Sequence, residues 1–356
     1  MIDISSRFSR VLKFILSPLL VLILNVSFAQ LGGSYTYQYL QLPVGARTAA
    51  LGGLNISTFD DDPRLAWYNP ALLNEGMHNV LSVNHSVRAG NINHGYVTYA
   101  RSMNESVNYY GGLLYNSYGQ IPAYDENGIQ TGSFNASEYA LNAGIAYRAD
   151  LLSYGVNTKL LYSQLESYNS LGVAIDIGAA YIDTASKLYA GLVLKNIGIP
   201  LIYYTPDNRE ELPFEIQVGV SKRLKYLPLQ VSLTGHNLQR FDIRYDDPNA
   251  RDNQNIFQSD TTGDSEKKYI GDKILRHVIL AGEFYFGDHF NVRLGYDFMQ
   301  RAELILNTKR GLTGFSFGAG FGIKRCTIDY AYEVTSLAGG NHYFSISTDL
   351  DSFLKY

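Results

Sequence analysis

The feature that most constrains this chain is a two-residue rhythm of apolar side chains that recurs along most of its length. Tyr139, Leu141, Ala143, Ile145 and Tyr147 share one face, opposite Glu138, Ala140, Asn142, Gly144, Ala146 and Arg148. Near the C-terminus, Phe315, Phe317, Ala319, Phe321 and Ile323 oppose Ser316, Gly318, Gly320, Gly322 and Lys324. Phe290, Val292, Leu294, Tyr296 and Phe298 oppose Asn291, Arg293, Gly295 and Asp297, and Ile328, Tyr330 and Tyr332 oppose Asp329, Ala331 and Glu333. Period two is the signature of a strand whose two faces meet different surroundings. Segments of about 10 residues match tilted strands that cross a bilayer. Aromatic residues at the ends of an apolar face, as at Tyr139 and Tyr147, suit the membrane interfaces.

The rhythm predicts fourteen strands, near 79–87, 94–103, 107–118, 136–149, 153–165, 171–183, 187–196, 213–224, 228–236, 274–287, 290–299, 313–324, 326–335 and 341–350. Connections after even-numbered strands are short. The long ones, 119–135, 197–212, 237–273 and 300–312, all follow odd-numbered strands. Short periplasmic turns and long outer loops are the habit of outer-membrane barrels. The expected fold class is therefore all-β: a transmembrane antiparallel β-barrel of about 14 strands. An even count returns both ends to the periplasmic side. The long connection 237–273 is acidic, with Asp246, Asp247, Asp252, Asp260, Asp264 and Glu266.

Composition agrees. Charged residues are 17%, against roughly 25% in an average soluble protein. Aromatic residues are 13%, and 29 of them are Tyr, which is too apolar for disorder. A single cysteine, Cys326, excludes a disulfide scaffold and a multi-cysteine zinc site. A net charge of -4 argues against nucleic acid as a partner. Beyond Val26, no apolar run is long enough for a membrane-spanning helix.

The two ends of the N-terminal region read differently. Arg7, Arg10 and Lys13 precede an apolar run over 14–26, followed by the small residues Ser27 and Ala29. This is the pattern of a secretory signal peptide over 1–29, cleaved before Gln30. Residues 30–78 lack the strand rhythm and are expected to form an N-terminal plug or hatch ahead of a barrel over 79–356. A fourteen-strand barrel has more lumen than its own side chains fill. Asp62 and Pro63 are expected to open a short helix as N-cap and first residue, with Asn69-Pro70 ending it. The inward charges Lys159, Asp176, Glu215, Arg293, Asp297 and Asp329 need partners or water in the lumen.

Three elements of the plug stand in order: Ala46-Arg47-Thr48-Ala49-Ala50-Leu51-Gly52-Gly53, then Asp60-Asp61-Asp62-Pro63, then Trp67-Tyr68-Asn69-Pro70-Ala71. This set resembles the N-terminal region of the PorV/PorQ family, which belongs with the FadL-like fourteen-stranded outer-membrane barrels that share the Asn-Pro-Ala element. Tyr39-Leu40-Gln41-Leu42-Pro43-Val44-Gly45-Ala46-Arg47 and Arg310-Gly311-Leu312-Thr313-Gly314-Phe315-Ser316-Phe317-Gly318 look most like the PorQ branch. The resemblance implies a non-catalytic barrel of the type IX secretion system, in a cell-surface attachment complex with PorU, PorV and a PorZ-like surface partner, among outer-membrane lipid and lipopolysaccharide. Arg47, Gly52, Gly53, Asp60, Asp61, Asp62, Trp67, Asn69, Pro70 and Ala71 are its plug-motif residues. No catalytic, metal or cofactor-binding residue is expected. The runner-up function is a FadL-like transporter of hydrophobic small molecules.

Other motifs lose their meaning in context. Gly314-Phe315-Ser316-Phe317-Gly318 matches a hydrolase nucleophile pattern, but it falls within an alternating strand and not at the strand-to-helix turn that exposes such a serine. Gly318-Ala319-Gly320-Phe321-Gly322 has no helix after it and the wrong spacing for a dinucleotide loop. His94 and His289 flank glycines and are expected at turns, facing solvent. Asp60, Asp61 and Asp62 lack calcium-loop spacing and are expected to cap a helix or anchor the plug. Cys326 is expected to be packed or to face lipid.

Overall fold

The computed structural model describes residues 35–90, 92–205, 209–243, 270–287, 289–304, 311–323, 326–336 and 339–351. The expected leader 1–29, the acidic stretch 244–269, and Arg310 and Lys324 lie outside the described residues.

Fourteen antiparallel strands close on themselves. They are β1 Val80–Arg88, β2 Ile92–Ser102, β3 Val107–Tyr124, β4 Gln130–Ala149, β5 Leu152–Leu165, β6 Tyr168–Asp183, β7 Leu188–Ile202, β8 Glu215–Arg223, β9 Leu229–Gly235, β10 Val278–Phe286, β11 Phe290–Asp297, β12 Phe315–Ile323, β13 Cys326–Ser336 and β14 Gly339–Asp349. β1 pairs with β14, from Val80 opposite Asp349 to Val87 opposite His342, so the sheet has no first or last edge. The apolar faces point outward: Leu141, Ile145, Leu160, Ile177 and Phe321 are all exposed. Tyr139 pairs with Tyr162 at one end of the belt and Tyr147 with Tyr154 at the other. Eight residue steps at roughly 3.4 Å separate Tyr139 from Tyr147 along β4. Strand tilt of about 40° brings that length near the ~25 Å apolar band of outer-membrane barrels. A closed barrel satisfies every ladder hydrogen bond internally, which a lipid-exposed sheet must do. The chain is an outer-membrane barrel of this kind. Its long connections mark the outer end and its short turns the periplasmic end.

Four local expectations need correction. The stretch 119–135 is not a loop, because β3 and β4 continue to Tyr124 and from Gln130 as a hairpin beyond the belt. Outside the membrane neither face has to be apolar, so the rhythm that marks the lower strand fades there. His94 does not face solvent. It lies on the even face of β2, which points inward with Tyr96, Thr98 and Ala100, and it is fully buried. Phe298 is not on the outward face of β11, because the strand ends at Asp297 and a helix, α3, spans Phe298–Leu304. The Asp297 carboxylate accepts from the Met299 and Gln300 N–H groups, which is why the chain turns there. In the plug, the helix starts at Leu65 and not at Pro63. Asp62 is therefore not its N-cap: it accepts from the Arg64 N–H at 3.0 Å in the turn before the helix, and the N-cap Arg64 has no side-chain cap.

Residues 35–78 fill the lumen. Thr36 N–H donates to the Glu211 carbonyl at the outer end. A 3-10 turn at Gln38–Gln41 leads to helix α1, Ala46–Ala50, then to helix α2, Leu65–Tyr68. Two more 3-10 turns, Pro70–Leu72 and Glu75–Met77, deliver the chain to β1 at the periplasmic end. The plug shares its core with inward wall residues: Tyr37, Leu40, Ile56 and Trp67 pack with Tyr96, Leu114, Leu161 and Val193.

Candidate functional site

The contact between plug and wall is the most elaborated region of the molecule, and it is built in two ways. The first is close backbone approach. Asn69, Pro70 and Ala71 press on a row of inward glycines contributed by successive strands. A Cβ on Gly178 would lie 2.1 Å from Asn69 Oδ1, and one on Gly155 would lie 2.4 Å from the Pro70 carbonyl carbon. Gly155 and Gly178 are directly paired neighbours. Across the lumen the relation repeats: a Cβ on Gly295 would lie 2.1 Å from the Gly52 nitrogen, and one on Gly318 would lie 2.5 Å from Ala50 Cβ. The small residues at the C-terminal end of α1 are what allow this fit. Gly52 and Gly53 leave α1 with φ of 89° and 87°, a left-handed conformation that suits glycine.

Asn69 is the hinge pin of the Asn-Pro-Ala element. Its Nδ2 donates to the Ile56 carbonyl at 3.0 Å and to the wall carbonyl of Ala179 at 3.4 Å. Its Oδ1 accepts from the Ala71 N–H at 3.0 Å. Pro70 holds the first position of the turn, where a missing N–H costs nothing. Asn69→Ala is expected to lower stability by about 1–2 kcal/mol through the lost cap and the unpaired Ile56 carbonyl. Chemical unfolding in detergent, with Asn74→Ala as a comparison cap, measures it.

The second device is a chain of alternating charges. Asp60 bridges to Arg47 at 2.5 Å, Arg47 to Glu283 at 2.8 Å, and Glu283 to Arg293 at 2.7 Å. Arg293 continues to Asp329 at 2.7 Å, Asp329 to Arg64 at 2.9 Å, and Arg64 to Asp62 at 2.7 Å. Plug residues stand at both ends and wall residues in the middle, so the network latches one to the other. Burial alone would disfavour the Arg47 and Arg64 cations, but the carboxylates beside them outweigh it and hold both firmly protonated. Only Asp60 keeps substantial contact with solvent, its side chain being 43% exposed. Asp61 is exposed beside Gly76 and joins none of the latch's ion pairs.

A second polar group surrounds Trp67. The indole is fully buried, with the Tyr96 ring centroid at 5.3 Å and Lys159 Nζ over its face at 4.5 Å. Lys159 pairs with Asp176 at 2.7 Å and donates to Asn196 Oδ1. Asp176 in turn accepts from Asn157. Thus Lys159, Asp176, Arg293 and Asp329 all find partners inside the lumen. Glu215 accepts from the Asn237 N–H, and its neighbour Lys195 lies over Trp67 and Tyr68 at 5.7 and 5.1 Å without a hydrogen-bond partner among the described residues.

Above the plug, at the outer end, a cavity of about 230 Å³ remains. Its floor includes Leu42, Leu54 and Tyr68, and its walls include Lys195, Glu215 and His236. Burial holds the His236 imidazole down at about 4, so it is neutral at neutral pH. The cavity is lined by apolar and charged side chains together, Ile279 and Met299 beside Asp297 and Glu333 among them.

All ten plug-motif residues named from the sequence lie at this junction. Arg47, Asp60 and Asp62 enter the latch; Gly52, Gly53, Asn69, Pro70 and Ala71 make the close approach or its turns; Trp67 receives the lysines; Asp61 lies at the rim. Sequence reasoning missed Arg64, Glu283 and the wall glycines Gly155 and Gly178. The glycines carried a signal, since they fall on the inward parity of β5 and β6. Ser316 is buried on the inward face of β12, within the strand. Cys326 lies at the start of β13, beside Thr348 Oγ1.

No protein-family model and no curated protein matches the chain. Solved structures do. Two crystal structures of the Pseudomonas putida toluene transporter TodX align with TM-scores of 0.52 and 0.53, each at 13% identity. They cover 86% and 87% of this chain and 96% and 99% of those chains. A Pseudomonas aeruginosa FadL homologue aligns at 0.48 and 11% identity, over 86% of this chain and 98% of that one. The TodX likeness, with the closed fourteen-strand topology, shows a shared FadL-like barrel fold.

Proposed function

We propose that this protein is a non-catalytic outer-membrane scaffold that holds a surface protein at its outer end, as the PorQ-like component of a type IX secretion attachment complex would. The observation that carries this reading is the plug. It is seated on glycines, latched by buried ion pairs and packed against inward apolar and polar wall residues, an arrangement suited to staying in place. The ordered motif set at 46–53, 60–63 and 67–71 supplies the link to that secretion system. Its neighbours in this reading are a PorZ-like surface protein, PorU/PorV-like proteins and lipopolysaccharide.

Affinity purification of the tagged full-length chain from its native outer membrane in mild detergent tests this. A PorZ-like surface protein is expected to co-purify in near-stoichiometric amount. Recovery of the barrel alone, in several detergents, would count against the reading.

A second reading, a FadL-like transporter of hydrophobic small molecules, has its own support. TodX is a toluene transporter and shares the fold. In addition, the β7–β8 ladder ends at Lys195 and Glu215, while β7 continues to Ile202 paired only with β6. A crevice of about 460 Å³ opens there, lined in part by Ile197, Ile199, Pro200, Leu212 and Phe214. Asn196 borders both this crevice and the cavity above the plug. A lateral route for an apolar solute would start here. Against it stand Lys195 and Glu215 at the inner side, which an apolar solute would have to pass.

A further inference from the structure

The β3–β4 hairpin is longer than a membrane crossing requires, and nothing else in the described molecule supports its outer part. β3 has 18 residues and β4 has 20, whereas β1 and β8 have nine each. The β2 ladder leaves β3 at Ser117, and the β5 ladder leaves β4 at Ala136. Beyond one hydrogen bond from the Glu166 N–H to the Asn135 carbonyl, the two strands pair with each other up to the turn, with Ile121 opposite Phe134. At roughly 3.4 Å per residue, the free part stands about 20 Å beyond the rim. An isolated two-stranded ribbon is marginal in water. Even so, this one exposes Tyr124 and Ile129 at 60% and 63%.

Its two edges are not equivalent. The β3 edge carries a bulge after Ser117, and Pro122 lacks an N–H to donate. The β4 edge over 130–134 reads Gln, Thr, Gly, Ser, Phe; it carries a bulge at Thr131, but unlike β3 it has no proline, so every residue keeps its N–H, and it has no lysine. Charge narrows the occupant further. Between Ser117 and Ala136 there is no Lys, Arg or His, while Asp125 and Glu126 are acidic. Asp125 and Glu126 stand at the exposed turn. An anionic arm repels the anionic surface of lipopolysaccharide and favours a cationic polypeptide.

We infer that the β4 edge over 130–134 is a docking strand, onto which a basic, extended segment of a surface protein adds as a further strand. This deepens the proposed scaffold role and rests on it. Main-chain hydrogen bonds would give the affinity, and the acidic turn the charge selectivity.

The experiment uses the full-length chain in its native outer membrane. A photo-reactive phenylalanine replaces Ser133, on the edge, or Tyr226, which is 89% exposed at the opposite end. After irradiation, mass spectrometry maps the linked peptide. A link from position 133, absent from 226, to a lysine- or arginine-rich segment of the co-purified surface protein is expected. Asp125→Lys with Glu126→Lys is expected to lower recovery of that protein at least tenfold. So is replacement of 120–135 by a two-residue Asn-Gly turn, which leaves the membrane part of both strands intact. If the surface protein co-purifies undiminished with the shortened chain, the docking strand is refuted and the scaffold role stands. If it does not co-purify even with the unaltered chain, the scaffold role itself fails. Links only to lipopolysaccharide would also overturn the inference.

Discussion

Gly155→Val is expected to unseat the plug. The added side chain would begin 2.4 Å from the Pro70 carbonyl carbon and 2.5 Å from the Ala71 nitrogen, and both are backbone atoms. They cannot swing aside as the tip of a long side chain could. Asn69 pins the same turn through the Ile56 and Ala71 main chain, so relief requires the whole element to move. Overpacking a filled interior typically costs about 1–3 kcal/mol, and a backbone obstacle puts this case at the upper end or above. Valine favours a strand in isolation, so local propensity works against the predicted loss and does not cause it. Gly132→Val is the control, because a Cβ there meets nothing within 4 Å. Heat-modifiable gel mobility of the purified barrel should show a clearly lower unfolding temperature for Gly155→Val and none for Gly132→Val. Limited proteolysis should cut the plug faster only in the first. Equal behaviour of the two would mean that the plug does not bear on this wall.

Asp329→Ala should have the other large effect. This carboxylate takes Arg64 from the plug and Arg293 from the wall, at 2.9 and 2.7 Å, and its side chain has no solvent exposure. Its removal leaves two buried guanidinium groups short of an anion. Breaking a buried ion pair by removing one partner costs about 3–5 kcal/mol, mainly because the remaining charge stays desolvated. Arg64 keeps Asp62 and Arg293 keeps Glu283, which holds the expected loss near the lower end of that range. Asp60→Ala provides the contrast. Arg47 retains Glu283, and Asp60 is partly in water, so the cost should fall within roughly 0–1 kcal/mol. Urea unfolding of both variants in detergent separates the cases. Similar losses would show that the latch does not behave as a buried network.

The strands were readable in the sequence because lipid imposes a physical condition on every alternate residue of the belt. That condition stops at the membrane surface. Hence the outer halves of β3 and β4, which lack a continuous apolar face, looked like a loop. His94 sat beside Gly95 and suggested a turn. The deciding fact was parity, because Tyr96 and Ala100 two and six residues on are inward, and His94 must be inward with them. Asp297 was recognised as inward, but the sequence did not reveal that it ends β11 by capping α3. The plug was legible as a segment without rhythm, and its small residues at 49–53 pointed to close packing. The latch was not legible. Arg64 meets Asp329 across 265 residues of sequence, and such a pairing leaves no local periodicity. The glycines were visible as inward residues, yet which of them meet the Asn-Pro-Ala turn depends on the register of strands contributed from far apart.

In the proposed role, this barrel holds a partner and does not carry small hydrophobic molecules. Uptake of labelled toluene and of a labelled fatty acid, by cells that lack such a transporter and express this chain in the outer membrane, tests it most directly. Uptake is expected to equal that of cells with a folded but unrelated barrel. A several-fold gain, abolished when Asn196 and Phe214 at the β7–β8 crevice are replaced by bulkier tryptophan, would contradict it and establish the transporter reading.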